Sequence, residues 1–208
     1  MTEGKIDLKR ELREFYAPGR EPVIVDVPEL AYVMIDGRGD PNTAPEFSQA
    51  IEALYTIAYT AKFALKRAAQ GPDFTVMPPE GLFWTAGSPE LAHGTKSDWN
   101  WTLMIMQPDR VTPEVFREAQ ATALEKKPLE ALRRVRLERL AEGRVAQVMH
   151  IGPYAAEGPT IERLHAFIAE QGYELAGKHH EIYLSDPRRA APEKLKTVIR
   201  QPVAARRA

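Results

Sequence analysis

YVMIDG, residues 32–37, and QVMHIG, residues 147–152, decide how this chain is read. Each is a strand-like run that ends in glycine, and each leads through a Gly/Pro loop into an amphipathic helix. A second pair sits in the same order: LMIMQP (103–108) and KTVIRQP (196–202), both strand-like and both ending in Gln-Pro. One such match would carry little. Two, in the same order within the same succession of elements, argue for an internal repeat.

The rest of the chain fits around these anchors. IDLKRELREFY (6–16) makes a short helix. PVIVDV (22–27) and LAYVMIDGRGD (30–40) read as two strands with a turn at Pro28-Glu29. Thr43 and Glu46 have capping-box spacing, opening a helix to about Lys66. Its apolar stripe is Phe47, Ile51, Leu54, Ala58, Ala61 and Leu65, at intervals of three and four. FTVMPPEGLFWTA (74–86) is a strand interrupted by Pro78-Pro79, hence bent or at an edge. Residues 87–98 read as loop and WNWTLMIMQP (99–108) as a strong strand. Thr112-Pro113-Glu114 opens a helix that stops at Pro128. LRRVRLERL (132–140) and GRVAQVMHI (143–151) look like two strands of a hairpin turning at Ala141-Glu142-Gly143. TIERLHAFIAEQ is a helix ended by Gly172. YELAGKHHEIYLSD (173–186) is a strand or hairpin arm, and KLKTVIRQPV (194–203) is the last strand. The predicted fold class is α+β: two tandem ββαββ pseudo-repeats, about 20–108 and 132–204, joined by a linker helix over about 112–127. They form one domain over 1–208 with a cleft between the halves, a suitable place for a ligand.

Composition narrows the function. With 208 residues and 44% hydrophobic content the chain can bury a substantial core. A net charge of −1, with acids interspersed among the bases, offers no basic stripe for nucleic acid. There are no cysteines, which excludes disulfides, thiolate metal sites and a cysteine nucleophile. The first residues are too charged for a signal peptide, and no run of 18 apolar residues occurs, so a cytoplasmic protein without membrane contact is expected. No P-loop, dinucleotide fingerprint or G-x-S-x-G is present, and no cofactor is implied. His179 and His180 are adjacent on a strand and point to opposite faces, so no metal site is expected there.

One residue stands out. In HHEIYLSD (179–186) alternation puts Glu181 and Tyr183 on one face and Ile182 and Leu184 on the other. A carboxylate within an apolar strand is costly to bury unpaired. Glu181 therefore faces solvent, a structural partner, or a cavity built to use it. In an aromatic cage it suits flat, apolar cations; it also suits a general base that orients water.

The run MIDGRGDPNTAPEF, the helix LYTIAYTAKFALK, and the segments PPEGLFW, DWNWTLMIMQP, HIGPY and HEIYLSDPRR with KLKTVIRQPV resemble stand-alone members of the GyrI-like small-molecule-binding superfamily, over about residues 20–204. The resemblance implies a two-repeat fold with a ligand cleft. It implies binding of lipophilic, cationic or polycyclic compounds, as in the effector-binding half of multidrug-sensing activators. Alternatively it implies hydrolysis of the strained ring of cyclopropanoid genotoxins. Glu181 matches the family's pocket glutamate and Tyr154 the tyrosine after the glycine turn. Tyr55, Tyr59, Trp84, Trp99, Trp101 and Tyr183 are the aromatics expected around them. The same fold also occurs as a gyrase-inhibitory protein, which makes a protein partner such as gyrase a third reading that the residues do not support. The roughly 20 residues before the first strand are too few for a DNA-binding helix-turn-helix.

Overall fold

The computed structural model describes residues 5–69, 71–85 and 95–206. Residues 86–94, the end of the predicted 74–86 strand and most of the predicted 87–98 loop, lie outside it. In chain order the elements are α1 (Leu8–Glu11), α2 (Arg13–Tyr16), β1 (Val23–Arg38), α3 (Pro45–Arg67), β2 (Pro79–Trp84), β3 (Asn100–Gln107), α4 (Pro113–Lys126), α5 (Ala131–Arg134), β4 (Arg136–Ile151), α6 (Gly158–Glu170), β5 (Tyr173–Leu175), β6 (His179–Tyr183) and β7 (Lys196–Ala205).

The strands close an antiparallel barrel. Its order is β4-β1-β3-β2-β6-β7, and β7 returns to pair with β4, while β5 adds to the end of β7. Closure leaves the barrel strands without a free edge. Two pairings join the halves of the chain: β1 with β4, and β2 with β6.

Two predicted turns are not turns. Pro28-Glu29 and Ala141-Glu142-Gly143 lie inside single 16-residue strands, β1 and β4. The register runs from Val27 opposite Gly143 to Glu29 opposite Ala141, skipping only Pro28, which has no N–H to give. Gly143 adopts φ +68, a conformation open to glycine. There β4 changes which alternate residues face inward: Glu142 before the glycine, Val145 and Gln147 after it. Each half therefore runs strand, helix, strand, strand rather than ββαββ, with β5 an extra short strand in the second. Other corrections are local. Helix α3 starts with Pro45 in its first turn and Ala44 as its cap, without a side-chain hydrogen bond from Thr43. The 173–186 arm is broken at Gly177 (φ +59). As expected, α4 opens with Pro113 in its first turn and Gly172 (φ +79) follows α6; Thr112 also caps α4 through Val115 N.

The barrel interior is partly polar. His180 Nε2 meets Glu80 Oε2 at 2.9 Å and Nδ1 meets Glu142 Oε1 at 2.8 Å. Arg200 donates to Glu142 Oε2 (2.7 Å), to Gln147 Oε1 and to the Phe15 carbonyl. Gln147 donates to Glu14 O, and the Tyr16 hydroxyl to Glu80 Oε1 at 2.6 Å. The α1–α2 segment is thus bonded to this network through residues 14–16. Two carboxylates, a guanidinium and an imidazole are removed from water together, which is tolerable because each has partners. Burial works against charge on both His180 and Glu142, yet their mutual attraction prevails, holding His180 above its ordinary value and Glu142 down at about 2.

The barrel's outer face carries the helices. Phe47 of α3 meets the Trp101 indole edge-on, with ring centroids 5.3 Å apart. Trp101 is 1% exposed and lies over Gly37, its partner across the β1–β3 ladder. A Cβ at Gly37 would fall 2.0 Å from the indole. Gly37→Ala should therefore cost about 1–3 kcal/mol through overpacking, read as a Tm lowered by several degrees. An unchanged Tm would mean that the indole moves freely.

Candidate active site

Register brings the site together on this outer face. Directly opposed residues in an antiparallel ladder share a face. Gly81 lies opposite Glu181, and Phe83 opposite His179; on the other side Glu181 pairs with Ile199 and Tyr183 with Thr197 of β7. Glu181, His179 and Tyr183 therefore point away from the barrel interior, while His180 and Ile182 point into it. The position opposite Glu181 is a glycine whose missing Cβ is overlain by the Phe83 ring.

Glu181 is 9% exposed. Its Oε1 lies 3.1 Å from His179 Nε2, and its Oε2 accepts from the Tyr183 hydroxyl at 2.8 Å. Burial pushes its pKa up, but these two bonds outweigh burial and hold it below the ordinary carboxylate value. Tyr183 is pushed well above the usual phenol range by burial and by the adjacent carboxylate, so it stays a donor.

A second carboxylate faces the first. Glu157 closes a 3-10 turn over Tyr154–Ala156 and precedes α6. It is 5% exposed. Burial and the nearby Glu181 charge push its pKa to about 8, against weaker lowering by the Thr197 hydroxyl and Lys96. Two buried carboxyl groups thus sit in one place with their pKa values pushed in opposite directions. That is how acid and base roles are divided between like residues. Sequence reasoning passed over Glu157 because GPYAAEGPT looks like plain loop; the available signal was an acid three residues after Tyr154, just before a Pro-containing helix start.

The predicted aromatics divide. Tyr154 joins the site: its ring meets Tyr183 edge-on at 5.5 Å, and burial together with Glu157 and Glu181 pushes its pKa to about 12. Trp99 flanks the site, edge-on to Phe83 and beneath Lys96, whose Nζ is 5.3 Å from the indole centre. Tyr55 is half-buried and close to Asp186, which also acts on Tyr154, so α3 lines this side. Tyr59 stacks on Tyr55 at 6.1 Å but is 45% exposed. Trp84 and Trp101 are not beside Glu181. Trp84 lies in β2 with alternation opposite to Phe83, under Lys178 Nζ at 3.5 Å from its ring. Trp101 belongs to the core beneath α3. Alternation explains the split: Trp99 and Trp101 point the same way, but α3 covers the second. Lys96 and His179 are the contributors that reading the aromatic pattern missed.

Two surface hollows lie elsewhere, one against Trp101 and Arg134 and one against Thr112 and Arg139. Glu181 and Glu157 line neither of them. Among the described residues no group of three His, Cys, Asp or Glu is placed to hold a metal, and no helix is long and apolar enough to cross a membrane.

A closed barrel with helices on its outer face thus holds a buried carboxylate among tyrosines. The chain belongs to the GyrI-like family: the model of the GyrI-like small molecule binding domain matches residues 20–204. Among solved structures it is similar to an uncharacterized conserved protein from Listeria innocua, at 43% identity over 96% of this chain and 100% of that one, with TM-score 0.89. It is also similar to two structures described as hydrolases from Listeria innocua, at 41% and 42% identity, again over 96% and 100% of the chains, with TM-scores 0.84 and 0.85. No curated protein matches the chain significantly.

Proposed function

We propose that this chain is a hydrolase that adds water to strained-ring electrophiles of the cyclopropanoid class. The observation that carries the proposal is a pair of buried carboxyl groups in one place, Glu181 bonded to His179 and Tyr183 and Glu157 close enough for their charges to interact. Glu181 takes a proton from water as the water oxygen bonds to a ring carbon. The carbon–carbon bond of the ring breaks, and its electron pair leaves toward the conjugated group. Glu157 donates a proton to the atom that receives that charge. Tyr183 and His179 fix the base in orientation. Tyr154, Tyr55 and Trp99 supply flat apolar walls for a polycyclic substrate. The two Listeria innocua structures described as hydrolases, with more than 40% identity, support hydrolysis in general and name no substrate.

The test is mass spectrometry of a cyclopropane-bearing DNA-alkylating compound incubated with the protein. A product heavier by one water, absent without protein, is expected. Recovery of intact compound would defeat the proposal.

A second reading, sequestration of lipophilic cations, draws on the same ionised Glu181 amid aromatics. Lys96 argues against it, because it already acts as a cation on both carboxylates. On that reading cationic dyes raise Tm and no product forms.

A further inference from the structure

We propose that His150 and Thr197 form a proton relay that reloads Glu157 after each turnover. This deepens the hydrolase reading and rests on it.

The polar groups of the site do not stop at Glu181. Tyr183 lies opposite Thr197 across the β6–β7 ladder, and Thr197 lies opposite His150 across the β7–β4 ladder. The three side chains therefore form one row over three adjacent strands, on the face that carries Glu181. Glu157 and Thr160, at the start of α6, complete it. His150 Nδ1 is 2.9 Å from Thr160 Oγ1. Thr197 is fully buried and His150 is 6% exposed.

Three atoms of this row, Glu157 Oε1, Thr197 Oγ1 and His150 Nε2, are buried and complete no well-formed hydrogen bond among the described residues. An unsatisfied buried polar atom is costly, and unsatisfied groups in native structures call for a reason such as a catalytic role. Here three occur together, an acid, a hydroxyl and an imidazole. In that order they can pass a proton, directly or through one bridging water.

The chemistry leaves a need for such a path. After one turnover Glu181 holds the proton from water and Glu157 has lost its own. Glu181 returns its proton to solvent. Glu157 recovers one from the Thr197 hydroxyl, which takes one from His150 Nε2. His150 in turn recovers a proton at Nδ1 by way of the partly buried Thr160 hydroxyl, 2.9 Å away. Each step moves one proton and breaks no other bond. The titratable groups facing this row are Glu157, Glu181, Tyr154 and Tyr183, with Lys96 beyond them.

The test compares the first turnover with the steady state on the cyclopropane-bearing substrate, for wild type, His150→Gln and Thr197→Val. Glu157 is loaded from solvent before substrate is added, so the first turnover should keep its wild-type rate in His150→Gln. Steady-state kcat should fall about tenfold or more with KM unchanged, and added imidazole should restore His150→Gln. Steady-state rates equal to wild type overturn the relay alone. So does a parallel fall of first turnover, kcat and Tm in both variants, which marks a structural role. A wild type that forms no product overturns the hydrolase reading and the relay with it.

Discussion

Glu181→Gln should abolish turnover and leave binding intact. The substitution preserves shape and one acceptor but removes the proton acceptor that activates water. General-base catalysis contributes about 10²- to 10⁴-fold, so kcat should fall by that much. Tyr183 can still donate to the amide oxygen, and the aromatic walls are untouched, so KM or a ligand's Kd should move less than threefold. Removing the carboxylate also relieves Glu157 of the neighbouring charge that helps raise its pKa. Stopped-time product analysis with parallel calorimetry checks both halves. A variant that turns over at the wild-type rate would remove Glu181 from the chemistry. Loss of binding together with turnover would favour cation sequestration.

Arg200→Leu should be the most damaging change outside the site. Arg200 is 1% exposed and supplies Glu142 with a 2.7 Å ion pair, while also donating to Gln147 and to the Phe15 carbonyl. Breaking a buried pair by removing one partner costs about 3–5 kcal/mol, which for a chain of this size is a fall in Tm of about 6–20 °C. Pairing Arg200→Leu with Glu142→Leu should recover part of that loss, since the orphaned charge goes too. The pH dependence has a definite sign. Glu142 has a folded pKa of about 2, below its unfolded value near 4.5. Its contribution is complete above the unfolded value and disappears as pH falls toward 2. Thermal melts of both variants between pH 3 and pH 7 check this; a single variant within 1 kcal/mol of wild type would contradict the account.

The sequence made some of this legible and hid the rest for physical reasons. The stripe of α3, the helix start at Pro113 and the stop at Gly172 depend on neighbours within a few residues, so local pattern suffices. Pro28 and Gly143 carry ordinary turn chemistry, yet each sits within a long strand because β1 and β4 pair through both positions. That is a tertiary outcome no local signal reports. Glu142 looked like the tip of a hairpin; its partners His180 and Arg200 are 38 and 58 residues away. Glu181 was recognisable because a carboxylate in an apolar strand demands an explanation. Glu157 was not, because an acid in a loop demands none until folding buries it. Trp101 was misplaced because alternation gives its face but not that Gly37 and Phe47 enclose it.

The central claim is that Glu157 and Glu181 act as acid and base in one site, and the pH dependence of kcat/KM on the cyclopropane-bearing substrate tests it most directly. Glu157 serves as acid only while protonated, so activity should fall as pH rises through about 8. Glu181 serves as base only while ionised, so the acid limb should lie below the ordinary carboxylate value. Between the limbs the rate should be level, and Glu157→Gln should lower that level and erase the alkaline limb. A wild-type profile that stays flat through pH 9.5, or an alkaline limb that survives in Glu157→Gln, would contradict the account.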